Sequence, residues 1–220
     1  MNTIRNFIPA IIFVVIVIVL GIVMFALSED GSSTSQAKND SPIENINTRW
    51  YLGADDAPVV IDMYSDFQCP FCAQAALTID EIHRNYPTKT RIIYHHFPLI
   101  ASHPLSLDAA KAAEAAGYQN KFWNMHDTIF ANQQSLTKDS FREFAQQLEL
   151  DMNIFDTYMN NTNIEKKILD QLEEGKALGI TSTPTFFVNG RKLTGAQPFS
   201  VFKSIIEEEL SKKGADTLRE

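Results

Sequence analysis

The only two cysteines of this 220-residue chain sit together in Cys69-Pro70-Phe71-Cys72. Thiols at this spacing can close a disulfide without unfolding a helix, so the pair can take up and return two electrons. Which sulfur reacts depends on where the helix starts. Pro70 suits the first helical turn, where a missing N–H costs nothing. Cys69 then stands at the amino end, facing unpaired amide hydrogens and the positive end of the helix dipole. Both favour a thiolate, and the Cys69 pKa is expected below the free value of ~8.5. Cys72, one turn further in, is the expected resolving partner and the less exposed of the two.

Three other readings of the pair remain open from the residues alone. As a structural disulfide it would close a very short loop and restrain the unfolded chain little. As half of a zinc site it would draw on His95, His96 and His103. Neighbours in a strand point to opposite faces, so at most one of His95 and His96 could join such a site. As two inert buried thiols, the cysteines would sit uneasily in an oxidising compartment.

The chain carries its own indication of compartment. Phe7 to Leu27 is an apolar run of 21 residues with no charge, preceded by Arg5 and followed by Glu29 and Asp30. At ~1.5 Å per residue it matches a hydrocarbon core of roughly 30 Å. The charge asymmetry leaves residues 1–6 in the cytoplasm and everything after Leu27 on the extracytoplasmic side of the cell membrane. A cleaved signal peptide, cut near Ala26-Leu27-Ser28, is the alternative; the run exceeds the ~7–15 residues of such a segment, which favours a retained single-pass anchor. Residues 28–47, rich in Ser and Asn, read as a flexible tether. The formal net charge of -8 and the lack of a Lys/Arg run argue against nucleic acid as a partner.

The reactive pair needs a frame. Pro58–Tyr64 is short, apolar and β-branched, and reads as a buried strand leading into the loop Ser65–Gln68. The helix opened by Cys69-Pro70 runs to Tyr86-Pro87. Arg91–Phe97 is a second strand ended by Pro98. Leu105 to Gly179 is helical throughout. Pro184–Val188 is a strand, Asn189-Gly190 a hairpin turn, and Arg191–Thr194 the returning strand. Pro198 to Lys212 closes the fold as a helix. This order implies an α/β sandwich, a mixed central sheet flanked by helices, interrupted by an all-helical insertion. Thr183-Pro184 is readable as a plain strand boundary. A cis bond packed against the dithiol would instead put the Thr183 backbone where a substrate strand could pair with it. Phe67 and Phe71 are expected to offer unfolded chains an apolar surface, with core packing the equal alternative for Phe67.

These residues resemble the thioredoxin superfamily, and within it the DsbA-like thiol-disulfide oxidoreductases of bacterial envelopes. The likeness lies in four stretches: Leu52–Val59 with Ser65–Cys72, Phe97–Pro104 with the alanines Ala109, Ala110, Ala112 and Ala113, Lys121–Asp127, and Gly179–Gly190. It implies a thioredoxin fold over residues 48–214, with the helical insertion at about 104–179 and a short tail at 215–220. It implies Cys69 as nucleophile, Cys72 as resolving cysteine, a redox-active Cys69–Cys72 disulfide, and Thr183-Pro184 as a cis-Pro loop that binds substrate beside Pro70 and Phe71. It implies an oxidase that acts as a monomer, without metal or cofactor, on exported unfolded or reduced proteins; the alternatives are a disulfide reductase or isomerase of the same fold and a non-enzymatic membrane-tethered zinc or binding module. A quinone-linked membrane protein similar to DsbB or the vitamin K epoxide reductase family would then restore the disulfide. One position departs from the pattern. Members of the family carry an acid six residues before the first cysteine, and here that residue is Met63. Asp62 is adjacent, but strand alternation turns it to the other face.

Overall fold

The computed structural model describes residues 49–216, with side chains through Lys213. The expected anchor at 7–27, the tether at 28–47 and residues 217–220 of the tail lie outside the described residues. Among the described residues no helix is long and apolar enough to cross a membrane.

Five strands form one mixed sheet in the order β1-β3-β2-β4-β5. These are β1 (Tyr51–Gly53), β2 (Val59–Ser65), β3 (Thr90–His96), β4 (Thr185–Val188) and β5 (Arg191–Thr194). β2 runs parallel to β3 and antiparallel to β4, and β1 pairs antiparallel to β3. The edge strand β1 was not expected from the sequence. Three residues show no usable period, and β1 exists through its pairing with β3. The hairpin β4–β5 was legible: Asn189 and Gly190 both take positive φ, 46° and 84°, as a tight primed turn requires.

Helix α1 (Pro70–Asn85) follows β2, and the last helix α7 (Phe199–Asp216) follows β5. The insertion between β3 and β4 contains α2 (Ser106–Gly117), α3 (Phe122–Ala131), a 3₁₀ turn (Gln133–Ser135), α4 (Ser140–Gln147), α5 (Met152–Met159) and α6 (Thr162–Ala177). The period-two pattern of β2 separates its faces. Val59, Ile61 and Met63 join the main core with the buried α1 residues Cys72, Ala75, Ile79 and Ile82. Tyr64, next in sequence, points the other way into a smaller cluster with Phe97, Leu172 and Ile180.

A buried polar cluster ties the insertion to the sheet. Glu114 of α2 is fully buried and accepts hydrogen bonds from His96 Nε2 of β3 (3.0 Å), Lys167 Nζ of α6 (2.7 Å) and Trp50 Nε1 (3.0 Å). Burial alone would push the Glu114 carboxyl up, but the bonds from His96 and Lys167 outweigh it and hold the group below the usual carboxylate range. Burial pushes the His96 imidazole down, which favours its neutral form. Nearby, α2 passes so close to Trp50 that a Cβ on Gly117 would lie 2.4 Å from the indole ring. Replacing Glu114 with Ala removes one acceptor from three donors and leaves the buried Lys167 ammonium without its carboxylate. The expected loss of stability, measured by urea unfolding, is about 3–5 kcal/mol; a loss under ~1 kcal/mol would show that the cluster behaves as a solvated surface pair.

Candidate active site

β2 ends at Ser65, and four residues later the chain enters α1. Cys69 is the N-cap, in extended backbone geometry (φ -74°, ψ 120°), with Pro70 in the first turn. Its carbonyl accepts the first helical bonds, from the N–H groups of Cys72 (3.0 Å) and Ala73 (3.2 Å). The Cys69 sulfur therefore faces the open amide end of the helix, where a negative charge is stabilised. Both cysteines are thiols in this structure. Cys69 is 5% exposed and Cys72 1%, in the order the sequence implied.

The peptide bond Thr183–Pro184 is cis. It carries the Thr183 backbone to the dithiol, where the Cys69 thiol donates to the Thr183 carbonyl at 3.4 Å. The Thr183 hydroxyl is buried and has no hydrogen-bond partner among the described residues, so it is free to donate to a thiolate formed beside it. The Cys69 pKa is lowered to about 5, first by a hydrogen bond from the Cys72 thiol, and further by Thr183 and the amides of Cys72 and Phe71, against the opposing effect of burial. Cys72 moves the other way: burial, and then the neighbouring Cys69, push its thiol well above the ordinary range. One sulfur is thus charged at neutral pH and the other protonated, which is the division of labour that dithiol exchange needs.

Phe71, between the two cysteines, is 58% exposed. Phe67 is not part of that surface. It is 1% exposed, stacks on Tyr94 (5.4 Å between centroids) and packs against Phe130 (5.1 Å). Its expected docking role is replaced by core packing, because the loop turns it inward against β3 and α3 rather than outward. Met63 is buried in the core, and its register partners are Tyr94 and Phe186. Asp62 lies on the opposite face, 2.7 Å from His95 Nε2, as strand alternation requires. The three histidines weighed as zinc ligands are engaged separately, His95 with Asp62, His96 with Glu114 and His103 with Asp66.

The structure adds residues that the sequence reading passed over. Asp66 is 1% exposed, and its carboxylate accepts from Gln68 N–H (2.7 Å), Leu99 N–H (2.7 Å) and His103 Nδ1 (2.9 Å). Its own N–H donates to the Cys72 sulfur at 3.4 Å. Gln68 accepts from Leu105 N–H, and Gln133 donates to the carbonyls of Phe67 and Cys69. The Asp66–Gln68 bond is an Asx turn, readable from an Asp three residues ahead of the N-cap Cys69. The contacts to 99–105 and to Gln133 join segments far apart in sequence, and no local signal marks them.

Comparison with known proteins places this site in context. A family model described as "Thioredoxin" matches residues 44–208. Among curated proteins, the Na(+)/H(+) antiporter NhaA 3 of Salinispora tropica is 36% identical over 149 residues, covering 68% of this chain and 22% of that protein. The antiporter NhaA of Herminiimonas arsenicoxydans is 31% identical over 165 residues, covering 75% of this chain and 26% of that protein. The chain thus spans about a quarter of the length of the curated relatives it matches. Among solved structures, alpha-DsbA1 of Wolbachia pipientis superposes with a TM-score of 0.71 at 22% identity, over 78% of this chain and 95% of that one. Oxidised BdbD of Bacillus subtilis gives 0.67 at 21%, over 74% and 93%. These two share the fold. The sheet, the cis-Pro loop and the dithiol at the head of α1 agree with the family match across most of the sequence: the chain belongs to the thioredoxin family.

Proposed function

We propose that the chain is a protein thiol-disulfide oxidoreductase that works as an oxidase, donating the Cys69–Cys72 disulfide to exported proteins. The observation that carries this reading is the Cys69 sulfur at the start of α1, 3.4 Å from the Thr183 carbonyl that precedes the cis proline, with its pKa lowered to about 5. In the oxidised protein a substrate thiolate attacks the Cys69 sulfur. The Cys69–Cys72 bond breaks, Cys72 leaves with the electron pair, and solvent protonates it. A second substrate thiolate then attacks the substrate sulfur of the mixed disulfide, and Cys69 departs as a stable thiolate. The substrate has lost two electrons and the protein has gained them. A sulfur that leaves easily makes a strong oxidant, so the low Cys69 pKa favours this direction over reduction.

The polypeptide held in the mixed disulfide would lie along the Thr183 backbone, with exposed Phe71 offering an apolar contact to an unfolded chain. Reoxidation would fall to a quinone-linked membrane partner similar to DsbB or the vitamin K epoxide reductase family. The apolar run at 7–27 supports tethering of the domain to the extracytoplasmic face of a membrane. Sequences similar to this one also occur within proteins named as Na(+)/H(+) antiporters, which supports a place at a membrane.

Equilibration with glutathione tests the direction: an equilibrium lying toward reduced protein supports an oxidase, and one lying toward oxidised protein assigns the fold to reduction. Cys69→Ser is expected to abolish oxidation of a reduced test protein, and substantial residual turnover would reject Cys69 as nucleophile. Cys72→Ser should retain a reactive Cys69 and accumulate mixed disulfides, visible on non-reducing gels. Alkylation of the reduced protein should rise through a midpoint near pH 5 and label Cys69 ahead of Cys72. The sign for stability follows from a depressed folded pKa. Relative to Cys69→Ser, the reduced protein should gain stability as pH climbs from about 5 toward the ordinary thiol range of ~8.5, and lose that gain below. A flat difference across that window would place the Cys69 pKa near that of a free thiol.

A further inference from the structure

The loop that delivers Cys69 to the helix start is held from outside the thioredoxin core. Gln133 opens the 3₁₀ turn that follows α3 in the insertion. Its side-chain amide donates to the Phe67 carbonyl at 2.8 Å and to the Cys69 carbonyl at 3.0 Å. Phe130, three residues earlier, packs on the Phe67 ring, so the same stretch of insertion grips the loop by an apolar and a polar contact. The Cys69 carbonyl already accepts from Cys72 and Ala73, and Gln133 adds a third donor to it.

We propose that Gln133 is a positioning residue through which the helical insertion sets the reactivity of Cys69. It touches neither sulfur and acts through the backbone of the reactive residue. The carbonyl oxygens of Phe67 and Cys69, in the loop that delivers the thiolate, present the negative ends of their dipoles. A hydrogen-bond donor to each draws that charge away from the sulfur and fixes the peptide planes that aim the first-turn amides at it. Without Gln133 the Phe67 carbonyl loses its side-chain donor and the Cys69 carbonyl one of its three, and the thiolate loses part of its support. This rests on the exchange reading above for its consequence, but not for its measurement, because the Cys69 titration can be read in a protein that oxidises nothing.

The test uses the full chain with Gln133→Met, an apolar residue of similar volume, and Gln133→Glu, which sets a carboxylate against the two carbonyls. Cys69 is titrated in each by thiolate absorbance and by alkylation rate, beside thermal unfolding and the glutathione equilibrium. With Gln133→Met the titration midpoint should rise and the glutathione equilibrium constant should fall by about tenfold, since thiolate stability and oxidising strength move together. Gln133→Glu should move both further. A midpoint that stays at the wild-type value in folded variants, even where the melting temperature falls, overturns the proposal and leaves Gln133 a packing residue. If Gln133→Met does not fold, Gln133→Glu carries the same comparison. A shifted midpoint in a protein that exchanges with no thiol upholds the role of Gln133 and rejects the oxidoreductase reading instead.

Discussion

Everything reactive in this protein depends on one sulfur standing where a helix begins. The head of α1 is the positive end of the helix dipole, and there the Cys69 sulfur is supported by the amides of Cys72 and Phe71. The cost of burying a thiolate is met by these amides, by the Cys72 thiol and by the cis-Pro segment together. Moving the helix start by one residue would turn the sulfur along the helix flank and lose most of that support. The proline at position 70, the Asx turn at Asp66 and the clamp from the insertion all serve to hold that start in place.

The insertion is more than an appendage on a sheet-and-helix core. Its α2 and α6 meet β3 around the buried Glu114 carboxylate, and the turn after α3 reaches the Cys69 loop through Gln133. The segment 99–105, which leads into the insertion, is bonded to Asp66 and Gln68 on the other side of the same loop. The four residues 66–69 are therefore fixed on both flanks by chain that lies between β3 and β4, while β2 and α1 fix only their ends.

Much of this was readable from residue types. The dithiol at a helix start, the Asn189-Gly190 turn, the strand alternation that separates Met63 from Asp62 and the stretch of helices between β3 and β4 each follow from a local pattern. β1 and the inward turn of Phe67 were not readable, because each is decided by a partner distant in sequence. The same holds for Asp66 and Gln133. An Asp before a helix suggests a cap, but nothing nearby tells that its carboxylate will be sealed by Leu99 and His103. A Gln in a polar turn reads as surface until the fold brings two carbonyls to it. The chemistry of the pair was local; the apparatus that steadies it is tertiary.

The groups that contact the two sulfurs are largely main-chain: the carbonyl of Thr183, the amide of Asp66 and the open turn of α1. Main-chain atoms keep their chemistry when side chains change. The rim is of another kind, with Phe71 projecting into water. Exchanging an exposed side chain such as Phe71 would therefore change what the surface presents while the sulfur centre keeps its tuning, a separation that makes this scaffold suited to retargeting.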